Sequence, residues 1–212
     1  MSFGRHLVYA EGTKTEPLYV EDLRMLISEQ LGVEKRDIEI IPVKISKTKH
    51  TCELVDYAQN DVLTRLRKNE TINYVWIFYD KDCYEDFDDA YIKIKELDSQ
   101  YKGDISWIPC WSNECFEVWV YHYFEKLTTP LKREDYIPKI NEFLKNRGCK
   151  EEYKKNRTDL HHFLTKYGGN IEKAMKFMKD MDDGRDKKPN PSSGIYQFAE
   201  YVMTYVNKND KK

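Results

Sequence analysis

The sequence has no apolar run close to the roughly 20 residues that cross a bilayer. Its opening Met-Ser-Phe-Gly-Arg-His has a short strand-like stretch behind it and no secretory apolar core. Neither a membrane nor a secreted protein is expected, and a cytoplasmic location is. Cysteine is sparse: Cys52, Cys83, Cys110, Cys115 and Cys149 are odd in number and scattered, without a C-x-x-C pair. That argues against a disulfide framework and for reduced thiols. Structural zinc is not expected either, because adjacent His161 and His162 cannot both turn from one helix to a metal shared with Cys149. An overall basic balance, the usual footprint of a nucleic-acid binder, is also lacking, with a net charge of −2. No internal repeat is found, and the only low-complexity element is the Lys/Asp tail at 207–212.

What remains is a chain of 212 residues, 40% apolar and 34% charged, whose 14% aromatic share includes 16 Tyr. That suits one generous domain, or an α/β domain with a smaller companion. The charge is unevenly spread. Residues 1–130 carry 16 Lys and Arg against 24 Asp and Glu, while residues 131–212 carry 19 against 13. An acidic half could hold a cation beside a basic half that holds a polyanion; two solvated faces of opposite sign would look the same.

The first 130 residues alternate between strand-like and helix-like segments. Strands are expected at His6–Ala10, Asp37–Val43, Tyr74–Tyr79 and Ile105–Pro109. Helices are expected from Pro17 to Leu31, Thr51 to Leu66, Asp88 to Leu97, and from a Ser112 cap to Phe124. The continuous apolar run Tyr74–Tyr79 fits a parallel strand covered on both faces. The expected fold is α/β: a mostly parallel four-stranded sheet with flanking helices over residues 1–127, then a helical region over 128–212. In that region Ile137–Asn146, Thr158–Tyr167, Ile171–Met181 and Ile195–Val206 read as helices and Asp186–Gly194 as a loop.

Ligands collect at the C-terminal ends of parallel strands. That rule selects Glu11, the Asp80-Lys81-Asp82 run, and Trp111, Ser112 and Asn113. Two carboxylates two residues apart past a buried strand repel one another unless a cation sits between them. Mg²⁺ suits such a site, since it takes oxygen ligands and only one or two carboxylates. Glu11, from a second strand end, would complete a cation site at Glu11, Asp80 and Asp82 and could serve as general acid or base. Gly12-Thr13-Lys14-Thr15 lacks the upstream glycine of a nucleotide-hydrolysing phosphate loop, but Lys14 beside a helix start can still meet a phosphate.

Four segments in order, Glu11–Pro17 (EGTKTEP), Asp80–Asp82 (DKD), Ser112–Trp119 (SNECFEVW) and Asn190–Ser193 (NPSS), resemble the RloB-like family. The resemblance departs at Glu114, where the family often has Pro, and at His122-Tyr123-Phe124. It implies a Toprim-like fold with divalent metal, Mg²⁺ or Mn²⁺, on Glu11, Asp80 and Asp82. It further implies a role in defence against phage, as a nuclease acting on RNA, transfer RNA included, or on DNA. The expected activity is metal-dependent phosphodiester hydrolysis. Glu11, Asp80, Asp82 and Lys14 form the catalytic set, and Lys14, Asn113, Lys44 and Lys47 contact the substrate. The alternative is a non-catalytic Toprim-like sensor or partner of a defence ATPase, and self-assembly is left open. Asn113 reads equally as a phosphate contact or a helix cap. Glu117 reads as the partner of a basic residue more than as a metal neighbour, and His122 is given no role.

Overall fold

The computed structural model describes residues 3–32, 34, 36–44, 51–82 and 84–209, with the side chains of 29–31 and 208–209 outside the description. The chain runs β1 (His6–Glu11), α1 (Thr15–Leu31), β2 (Ile38–Val43), α2 (Thr51–Arg67), β3 (Tyr74–Asp80), α3 (Phe87–Gln100) and β4 (Ser106–Asn113). It continues through α4 (Glu117–His122), α5 (Arg133–Asn146), α6 (Leu160–Lys166), α7 (Ile171–Met181), β5 (Ser192–Ser193) and α8 (Ile195–Asn209).

The sheet order is β2-β1-β3-β4-β5, with β1 to β4 parallel and β5 antiparallel on the edge. Side chains alternate across it. Val8, Ala10, Trp76, Phe78 and Cys110 enter the core on one face, while Leu7, Tyr9, Val75, Ile77, Tyr79 and Trp107 enter the core on the other. α1 and α8 pack together on the first face, α2 and α3 on the second. Two covered faces explain why β1 and β3 are almost wholly buried rather than half polar.

The direction of winding reverses between β1 and β3. From β1 the chain steps out to β2 on one side, then returns past β1 to β3 and β4 on the other. At such a switch point the flanking helices diverge and leave a crevice beyond the strand ends. The last residues of those two strands are Glu11 and Asp80.

The expected four strands become five. Ser112 and Asn113 pair with Ser193 and Ser192, so a piece of the expected 186–194 loop is the edge strand. The reason is hydrogen bonding and packing. Gly194 N–H and Ser193 Oγ both donate to the Trp111 carbonyl, at 2.8 and 3.0 Å, and a Cβ at Gly194 would sit 2.3 Å from the Trp111 ring. β4 therefore extends through Asn113, and Ser112 pairs with Asp80 instead of capping a helix. The aromatic helix starts only at Glu117. The helical C-terminal region has no core of its own. Tyr136, Leu144, Leu160, Leu164, Met178 and Phe198 share one cluster with Val8 and Phe78 of the sheet.

Candidate functional site

Asp80 belongs to the alternating set of Trp76 and Phe78, so its carboxylate turns toward the side of α1 and α4. Its Oδ2 accepts the Phe116 backbone N–H at 3.1 Å, while Oδ1 is shielded from solvent and has no partner among the described residues. Glu11 Oε2 lies 3.5 Å from the Asp80 backbone N–H, and the Tyr84 side chain also bonds to Glu11.

Two further acids close on this point. Glu16, in the first turn of α1, and Glu117, the first residue of α4, both raise the proton affinity of Asp80. Burial, then Glu16, Glu117 and Glu11, hold the Asp80 carboxyl well above the ordinary carboxylate range. Burial and the charges of Glu117 and Glu11 push Glu16 up to about 7. Burial also raises Glu11. Glu117, 2% exposed, accepts a hydrogen bond from Tyr153 Oη at 3.1 Å and pairs with Lys155 Nζ at 3.0 Å.

The expected triad is thus brought together only in part. Asp82 does not join Asp80: β3 ends at Asp80, the chain turns with a Tyr84 N–H to Lys81 carbonyl bond, and Asp82 adopts a positive φ of 43°. The two-residue period that would aim both acids alike holds only within a strand. The Asp82 carboxylate pairs instead with Arg133. Among the described residues, no three His, Cys, Asp or Glu side chains are gathered into a metal-sized group.

Lys14 is exposed at the N-terminal cap of α1, next to the acids. Asn113 is buried and does not cap α4; its Nδ2 donates to the Lys188 carbonyl at 2.9 Å, holding the C-terminal loop. Lys44 is exposed beyond β2, and Lys47 lies outside the described residues. His122 is fully buried, with Nδ1 against the Val118 carbonyl at 2.7 Å and Nε2 accepting the Leu127 N–H at 3.2 Å. Both ring nitrogens are used in packing the helix end.

Sequence reasoning passed over Glu16, Tyr153 and Lys155. Glu16 carried a signal, since it lies inside Glu11–Pro17 and a short strand-to-helix turn returns its helix to the strand end. Tyr153 and Lys155 reach Glu117 across 36 and 38 residues, and no local pattern announces them.

The sequence model of the RloB-like protein family matches residues 6–202. The chain belongs to the RloB-like family. Among curated proteins and among solved structures, no match was found. The match covers every strand of this RloB-like protein and all the acids of the strand-end cluster. Among the described residues no helix is long and apolar enough to cross a membrane.

Proposed function

We propose that this RloB-like protein is a divalent-metal-dependent nuclease that hydrolyses phosphodiester bonds of RNA or DNA in defence against phage. In this reading the sheet is Toprim-like. The observation that carries it is the pairing of the Glu11 carboxylate with the Asp80 backbone at the switch point, within the electrostatic reach of Glu16 and Glu117 and with one Asp80 oxygen unpartnered among the described residues. Carboxylates held together without a cation are costly, and the donor set is all oxygen. Mg²⁺ keeps several waters and asks for only one or two protein carboxylates, so a gathered triad is not required. Asp80 and Glu11 would hold the Mg²⁺ or Mn²⁺, with Glu16 and Glu117 at its margin. Bound there, the ion would polarise a phosphate oxygen and lower the pKa of water.

The chain's own groups supply the rest. Glu11, with its proton affinity raised, takes up a proton from the attacking oxygen. Lys14 offsets the phosphate charge at the start of α1. Lys155 and Tyr153 hold the Glu117 carboxylate in place at the start of α4.

One observation favours a second reading. Asp82 is tied to Arg133, and no three-acid group is drawn together. A non-catalytic Toprim-like sensor or partner of a defence ATPase would have that appearance. The test is a cleavage assay on mixed RNA and DNA with Mg²⁺ or EDTA, with Asp80→Ala alongside. Metal-dependent cleavage lost in Asp80→Ala supports the nuclease; no cleavage by wild type under any metal supports the module.

A further inference from the structure

The strand-end crevice has a second half. Lys81 N–H donates to the Ser112 carbonyl at 2.9 Å, so the β3–β4 ladder runs one residue past Asp80. Neighbouring side chains on extended backbone point to opposite faces, so Lys81 leaves the sheet away from the acids. There it meets Asn113 and the 185–190 segment around a pocket of about 320 Å³ lined by Lys81, Asn113, Arg185, Lys187, Lys188 and Asn190.

Two features of this pocket point to a ligand. The first is its charge. Lys188 is spent on Asp182 and on the faces of Tyr91 and Trp111, and Arg185 on Asp183. Lys81 and Lys187 have no carboxylate partner among the described residues, so the pocket keeps a positive excess beside an acidic cluster. The second is a pair of orphaned acceptors. Asn113 Nδ2 is committed to the Lys188 carbonyl and Asn190 Nδ2 to Glu114, at 2.9 and 3.3 Å, which fixes which amide atom is oxygen. Both Oδ1 atoms are buried, line the pocket wall through their residues, and have no donor among the described residues.

Cations ask for a phosphate, and buried acceptors without partners ask for a hydrogen-bond donor beside it. In a DNA strand the sugar next to a phosphate carries no such donor. In RNA the 2′-hydroxyl supplies one. We propose that this pocket holds a ribose-phosphate unit, which makes RNA the favoured strand over DNA at the crevice. The inference rests on the nuclease reading for its biological meaning and names that site's substrate. The neighbouring phosphate of the same strand would then lie over the acids on the opposite face of the sheet end.

The experiment measures binding of the full-length protein, in EDTA so that nothing is cut, to three fluorescent single strands of one sequence. These are RNA, DNA, and RNA with 2′-O-methyl groups, which keep an acceptor but lose the donor. RNA should bind on the order of tenfold tighter than either of the others. Lys81→Gln with Lys187→Gln should weaken all three and reduce the slope of log K against log salt by about 1.4, at about 0.7 per single-strand phosphate contact. Equal affinity for RNA and DNA, or 2′-O-methyl RNA binding like RNA, overturns the proposal. So does an unchanged salt slope in the folded double variant. If the variant does not fold, the three strands decide alone. RNA-selective binding without cleavage in Mg²⁺ would remove the nuclease reading and leave the pocket standing. Cleavage without strand preference would do the reverse.

Discussion

Glu16 gives the sharpest test of the acid cluster, because its proton affinity is perturbed inside the range where proteins are handled. Its carboxyl titrates at about 7 in the folded chain against an ordinary value of 4.5, chiefly through burial and then through Glu117 and Glu11. A raised acid pKa means that the folded state holds its proton longer than the unfolded state does. Stability therefore falls as pH rises from about 4.5 to about 7 and stays low above that. At about 1.4 kcal/mol per pH unit the ceiling is about 3 kcal/mol, and sharing of the proton within the cluster brings the working figure to about 1–2 kcal/mol. Glu16→Gln keeps the shape and removes the charge. In EDTA at pH 8 it should melt above wild type by about 2–8 °C, at about 2–4 °C per kcal/mol for a chain of this size. Near pH 5 the gap should shrink to roughly a quarter, since wild-type Glu16 is then protonated when folded. Millimolar Mg²⁺ should raise wild type more than the variant, through binding to the folded state alone. A variant that melts at or below wild type at pH 8, with a difference that ignores pH, would refute the repulsion argument.

Gly194→Ala should cost at least about 2 kcal/mol in urea unfolding, because its Cβ would enter the Trp111 ring rather than the end of a flexible side chain. Lys155→Met leaves buried Glu117 without a cationic partner and should destabilise by about 1–2 kcal/mol, discounted because Lys155 is 46% exposed. Adding Glu117→Gln should recover most of that loss in the same assay. Asp80→Asn should raise the metal-free melting temperature, whereas Asp82→Asn should lower it by no more than about 1 kcal/mol equivalent, since it breaks a half-exposed pair with Arg133.

The sheet was legible because its signal is local. The apolar run of β3 and the alternation of strand with helix are properties of adjacent residues, and β1 to β4 fall where that pattern places them. α7 matches its expected span from Ile171 to Met181 for the same reason. β5 was not legible. Ser192 and Ser193 are polar and flanked by Pro191 and Gly194, and they become a strand only because Trp111, some 80 residues earlier, supplies a carbonyl acceptor, an indole N–H donor and a ring to cover them. The site divides along the same line. Glu11 and Asp80 could be read as strand ends. Asp82 was misplaced because the chain turns after Lys81 and breaks the two-residue period before Asp82. Asn113 read equally as a phosphate contact or a cap, and nothing nearby in sequence shows that its amide will hold the Lys188 carbonyl.

The central claim is that the strand-end acids perform chemistry rather than merely hold the fold. Glu11→Gln tests it most directly, since it preserves size and hydrogen bonding while removing the proton acceptor. The measurement is the single-turnover cleavage rate of an RNA strand in Mg²⁺, with binding of the same strand recorded in parallel. The account predicts unchanged or tighter binding and a rate lower by on the order of a hundredfold or more. A Glu11→Gln protein that cleaves as fast as wild type would contradict it.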